Sequence, residues 1–169
     1  MIETSRIKDL DMADQFDTGE LAWQRFLCPI TEHFARQIAD RDYHGKRLAY
    51  WGHLTGQNLI QMMIALKKAG AEIILGACNV DSTDDVAAAY VASKGIRVYG
   101  WRGMSLADYR ENLDIIRAFE ADYLCDMGGE LCVAYRDKSP PVKCALEATM
   151  TGLHNINKHP VPFPVFNWN

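Results

Sequence analysis

The chain has 169 residues, 49% of them apolar and 24% charged, with a formal net charge of −4. That size and mix suit one domain around a single core and argue against a disordered or fibrous chain. A mildly acidic surface gives no electrostatic attraction to nucleic acid or an anionic membrane, and no apolar run approaches the roughly 20 residues of a membrane span.

A small molecule is therefore the expected partner, with neither nucleic acid nor membrane involved. Residues 1 to about 17 are polar and acidic and read as an extended arm or a short leading helix. Met1 to Ser5 show no basic stretch ahead of an apolar core, so a secretory leader is not expected and the cytoplasm is the expected location. The expected division is an arm over 1–19 and one domain over 20–169. Thr18 is the expected cap of the next helical run, in which Leu21, Phe26, Leu27, Ile30, Phe34 and Ile38 recur near helical spacing. Pro29 interrupts that run and predicts two helices or a kinked one.

A regular strand-helix alternation follows. Apolar, non-alternating segments at Leu48 to Trp51, Ile73 to Gly76, Ile96 to Tyr99 and Tyr123 to Cys125 read as strands covered on both faces, separated by steps of about 25 residues. Between the first pair, Leu59, Met62, Met63 and Leu66 form a helical stripe ending at Gly70. Between the second pair, Thr83 is the expected cap of a helix over Val86, Ala89, Tyr90 and Val91. Between the third, Ser105 is the expected cap of a helix over Leu106, Tyr109, Leu113 and Ile116. The methionine and aromatic stripes read as core. After Gly128-Gly129 the pattern loosens: Ser139-Pro140-Pro141 breaks the chain, Glu147 to about Asn157 reads as a helix, and Val165-Phe166 as a last strand. The expected fold is α/β, a three-layer, doubly wound, mostly parallel sheet with helices on both faces. In such sheets ligands bind beyond the carboxyl ends of the strands.

Five cysteines, Cys28, Cys78, Cys125, Cys132 and Cys144, form no CxxC pair and no zinc spacing. They read as buried, reduced thiols, and no metal is expected. The strand ends carry the candidate chemistry: His53 and Thr55 after the first, Cys78, Asn79 and Ser82 after the second, and Trp101 after the third. Asp126, Gly128, Gly129 and Glu130 follow the fourth, and Asn167 and Asn169 the last. Each has a plain structural explanation; the case for a site is their convergence on one edge. A dinucleotide is not expected, because no G-x-G-x-x-G follows a strand.

His53-Leu54-Thr55, Ala77-Cys78-Asn79, Ser82-Thr83-x-Asp85, Val98-Tyr99-Gly100-Trp101-Arg102-Gly103, Asp126-x-Gly128-Gly129 and Thr149-x-Thr151-Gly152-x-His154 occur in this order. Together they resemble the substrate-binding domain of S-adenosylhomocysteine hydrolase, from about Glu20 to Asn169. The resemblance implies a nucleoside-like ligand. In that family NAD, held in a separate domain, oxidises the ribose before the thiol is eliminated. The motifs of that separate domain do not occur among these 169 residues, and two family carboxylates in the matching region are changed, to Met127 and Ala148. A glutamate that reads the purine edge is replaced by Gln57, which keeps an acceptor and adds a donor.

On that basis the redox mechanism is not expected of these residues, and no cofactor is assigned. The expectation is an NAD-independent enzyme of proton-transfer, cyclisation or elimination type in a biosynthetic pathway, a lyase or cyclase. His53, Asp126 and Asn169 are its candidate catalytic residues. Thr55, Gln57, Cys78, Asn79, Trp101, Met127, Glu130, Glu147 and Thr149 are its candidate substrate-binding residues. Burial is expected to lower the His53 pKa, with Asp126 and Glu130 as orienting partners. The alternatives are a non-catalytic adenosine or S-adenosylhomocysteine binder, or a subunit of a larger complex. A homo-oligomer would need a surface other than the one the family uses.

Overall fold

Arg47–Gly52 (β1) is the hub of the sheet because its side chains are apolar in both directions. Leu48 and Tyr50 point to one face, Ala49 and Trp51 to the other, and each pair enters a separate core. The structure, a computed structural model, describes residues 4–168, leaving aside the side chains of Thr18, Glu20, Gln24, Gln57, Asn58 and Leu59.

Before β1 come a 3-10 helix at Leu10–Gln15, capped by the Asp9 carboxylate, and two helices, Thr18–Leu27 (α1) and Pro29–Ala39 (α2). Pro29 makes the break, and it occupies the first turn of α2, where its missing N–H costs nothing. After β1 follow Gly56–Lys68 (α3), Glu72–Ala77 (β2), Asp85–Ser93 (α4), Arg97–Tyr99 (β3), Leu106–Ala118 (α5) and Tyr123–Asp126 (β4). Glu130–Ala134 (α6), Cys144–Glu147 (β5), Met150–Lys158 (α7) and Val165–Asn167 (β6) complete the order.

The six strands are all parallel, in the order β3-β2-β1-β4-β5-β6. The α/β expectation holds, and the sheet is parallel throughout. Strand order reverses between β1 and β4, so the crevice of this fold opens between their carboxyl ends. One face packs Ile73, Leu75 and Val98 against α3 and α4; the other packs Ile74, Leu124 and Ala145 against Ile116, Leu131 and Ile156 from α5, α6 and α7.

Three local expectations change. The α4 cap is Asp84, whose carboxylate accepts from the Val86 and Ala87 N–H groups, while Thr83 is fully buried. A carboxylate reaches two N–H groups where a hydroxyl reaches one. The irregular stretch contains a strand, β5, and helix α7 begins at Met150, capped by Thr149. Cys144-Ala145-Leu146 is too short an apolar run to declare its period in sequence. Of the five cysteines, all free, Cys132 alone is fully buried and Cys28 is exposed. The expected cap Thr18 and the stripe residue Leu59 have side chains outside the described set. Ser105 caps α5 as expected, accepting from the Asp108 N–H.

Candidate functional site

The turn after β1 is Gly52-His53-Leu54-Thr55. Leu54 is buried and anchors it, while the His53 ring is exposed. His53 Nδ1 lies 2.6 Å from Ser82 Oγ. Ser82 is held there by Asn79, whose side-chain oxygen accepts from the Asp81 and Ser82 N–H groups at 2.8 and 3.2 Å. Asn79 therefore shapes the turn after β2, and that turn presents Ser82 to the imidazole. Thr55 occupies the N-cap position of α3, yet its side chain makes no capping bond. Its hydroxyl is therefore not committed to the helix.

His53 is expected to be buried, and its ring is instead exposed. Its expected orienting partners differ too. Asp126 is buried on the far face, and Glu130 engages other groups. Glu130, at the start of α6, accepts a hydrogen bond from the Tyr109 hydroxyl and a second from Trp51 Nε1 at 3.4 Å. Tyr109 also meets Trp51 edge-on and reaches the Cys78 carbonyl at 3.3 Å. Burial, followed by the Glu130 bond, raises the Tyr109 pKa, so the phenol stays protonated and donates. The two polar clusters thus flank the strand-order reversal, His53-Ser82-Asn79 after β1 and β2, and Glu130-Tyr109-Trp51 beside β4.

Two expected site carboxylates belong to the framework instead. Glu147 is fully buried. It accepts from Gly128 N at 3.2 Å, Gly129 N at 3.0 Å, Thr149 N at 2.6 Å and Thr149 Oγ1 at 2.7 Å. Thr149 in turn accepts from Gly152 N at 2.9 Å. Gly129 has a φ of +76° and an added Cβ there would lie 2.7 Å from the Gly152 carbonyl, so the turn demands glycine. Asp126, paired in register with Glu147, accepts from Cys132 N at 2.8 Å. Burial, with Glu147 next to it, pushes the Asp126 pKa up to about 7. Glu147 is thus engaged at both oxygens by its own chain, whereas Asp126 Oδ1 is buried without a hydrogen-bond partner among the described residues.

Cys78 is half-buried, and burial, then Asp126, pushes its thiol up to about 12, which removes it as a nucleophile. Trp101 packs against the core beyond β3 with the Arg6 guanidinium 5.9 Å from its ring centre. It lies at the sheet's outer edge, away from the crevice. Met127, half-buried, lies next to the Tyr50 hydroxyl, 4.0 Å from its sulfur. Gln57 and Asn169, two further candidates, lie outside the described residues. Among those described, no group of three or more His, Cys, Asp or Glu side chains is placed to hold a metal.

A dinucleotide needs free N–H groups around its pyrophosphate. The glycine pair between β4 and α6 does not offer them, because Glu147 already accepts from both N–H groups. No redox step is derived through these residues. Sequence reading missed Tyr109 and Trp51, which carry the pattern of core residues. Only the register of β1 and the crossing of α5 bring them to Glu130.

The profile of S-adenosyl-L-homocysteine hydrolases matches residues 7–159. The adenosylhomocysteinase of Sulfolobus acidocaldarius is 32% identical over 151 residues, covering 88% of this chain and 36% of the relative. That of Sulfurisphaera tokodaii is 30% identical with the same coverage. The S-inosyl-L-homocysteine hydrolase of Methanothermobacter thermautotrophicus is 27% identical over 156 residues, 89% of this chain and 37% of the relative. The chain spans little more than a third of the length of these relatives.

Proposed function

This chain belongs to the S-adenosyl-L-homocysteine hydrolase family, and from that premise we propose that it binds a nucleoside-like small molecule between the ends of β1 and β4. We further propose that His53 moves a proton on that ligand without a redox step assigned to these residues. The observation that carries this reading is the His53–Ser82 contact at the β1 exit. If Nδ1 donates to Ser82, Nε2 is left as a base; if the Ser82 hydroxyl donates to Nδ1, Nε2–H is left as an acid. Either role suits elimination, cyclisation or hydrolysis of a bound nucleoside. Proton transfer by such a group contributes about 10²–10⁴-fold.

Relatives named for adenosyl and for inosyl substrates both match, so either purine is a reasonable ligand. The Thr55 hydroxyl and the free oxygen lone pairs of Glu130 are its natural hydrogen-bonding partners, the latter for a ribose diol. The test is calorimetric titration of the purified chain with adenosine, inosine and S-adenosylhomocysteine, paired with product analysis by mass spectrometry. The expected result is saturable binding of one of them, retained within about threefold in His53→Gln, with turnover of the substrate falling at least about a hundredfold. Turnover unchanged in His53→Gln contradicts the assignment.

A non-catalytic binder is the second reading. It is favoured by the commitment of Asp126 and Glu147 to the framework, which leaves few groups for chemistry. Binding with no product from any nucleoside thioether supports it.

A further inference from the structure

The sheet is not equally clothed on its two faces. On the side of α3 and α4, helices cover β1, β2 and β3, but Cys125, Leu146 and Phe166 of β4, β5 and β6 are left half-buried or exposed. A cleft of about 470 Å³ opens there. Its floor is Leu48, Tyr50 and Leu146, one wall is Met62 and Met63 of α3 with Ile38 of α2, and Trp168 stands on the opposite side. That volume lies within the range of about 300–1,000 Å³ typical of small-molecule pockets.

We propose that this cleft is a binding site for an uncharged aromatic portion of the ligand handled at His53. The lining argues for that chemistry. Three thioethers, Met62, Met63 and Met127, and two aromatic rings, Tyr50 and Trp168, surround it, and sulfur and ring edges both favour contact with a π-face. Asp126 contributes to the wall; one of its carboxylate oxygens accepts from the Cys132 N–H on the far face of the sheet, and the other is buried without a hydrogen-bond partner among the described residues. Among those residues no cationic side chain lines the cleft, so an anionic ligand group would be buried there without a partner. The site is also joined to the crevice. The Met127 N–H donates to the Trp51 carbonyl at the carboxyl edge, and the Tyr50 hydroxyl donates to the His53 carbonyl at 3.3 Å. Tyr50 and Met127 thus link the cleft to the turn that carries His53, and the replacement of a family carboxylate by Met127 falls on that link. The inference rests on the proposed crevice reading for its location and goes beyond it in naming the substrate class.

The test uses the full chain and N-phenyl-1-naphthylamine, an uncharged probe that fluoresces in apolar surroundings. It is titrated into the wild type, Leu146→Asp and Trp168→Ala, with adenosine calorimetry on the same preparations. The expected result is saturable uptake of one probe per chain, weakened about tenfold or more by Leu146→Asp and severalfold by Trp168→Ala. Trp168 is 64% exposed, so its truncation leaves the fold intact if Leu146→Asp proves insoluble. Absence of saturable uptake, equal affinity in wild type and Trp168→Ala, or a dimer that must dissociate before the probe enters, overturns the proposal; the last means that a second copy covers this face. Adenosine binding without probe uptake sinks the cleft alone, and probe uptake without adenosine binding sinks the crevice reading and the proposed link between the two.

Discussion

Two turns on the same edge of the sheet look alike in sequence and behave oppositely. The turn after β4 folds two glycines around the buried Glu147, which accepts four hydrogen bonds from Gly128, Gly129 and Thr149. The turn after β1 leaves the His53 ring exposed, with Ser82 as its one hydrogen-bond partner among the described residues. A polar group whose valences are all taken up by its own chain holds the fold. One that is oriented yet retains a free nitrogen is available for chemistry. The difference is between saturation and spare capacity, not between residue types.

The largest effect expected from this contrast is on stability. Glu147→Ala takes the acceptor from three N–H groups, one buried and two part-buried, and should lower unfolding free energy by about 3–5 kcal/mol in urea denaturation. A loss below about 1 kcal/mol would show that this turn is not the anchor described.

Asp126 sharpens the same point through pH. Its pKa rises from the ordinary 3.8 to about 7 in the fold. Between those values the folded state keeps a proton that the unfolded state has lost, so stability falls as pH rises through that window and levels off above it. Asp126→Asn should remove this slope and be more stable than the wild type at pH 8, by the order of 2 kcal/mol. Thermal melts at pH 5 and pH 8 read the difference; a wild-type stability that climbs across the window contradicts it.

The β1 turn predicts the reverse pattern. Ser82→Ala should leave stability within about 0.5 kcal/mol, because it removes one solvent-side contact, while freeing the imidazole to rotate. The cost should fall on turnover, about tenfold, read in kcat with KM nearly unchanged. The smallest effect concerns Cys78. With its thiol pushed up to about 12, iodoacetamide at pH 8 should label the exposed Cys28 long before it.

The parallel sheet was legible because its strands are short, apolar and evenly stepped, and because Pro29, Ser105 and the glycines punctuate the helices. His53, Thr55 and Glu130 were legible as strand-end residues. What the residues alone could not disclose is direction. Glu147 and Thr149 read as site residues because carboxylates at strand ends usually face ligands, and only the glycine turn folded over them reverses that. Asn79 read as a ligand contact, yet its side-chain oxygen is engaged in the turn that delivers Ser82. Tyr109 lies on a helical stripe with Leu113 and Ile116, and its bond to Glu130 depends on how α5 crosses β2. β5 escaped notice because three apolar residues carry no period.

The central claim is that the ligand is handled beside His53. The chain has five histidines, so a sample labelled with ¹⁵N only in histidine gives a small set of imidazole signals to follow during titration with adenosine. The predicted result is that the His53 ring signals move, saturably, while those of His33 and His44, on α2 and before β1, stay in place. Binding that leaves His53 unmoved, or no shift in any ring at millimolar adenosine, contradicts it.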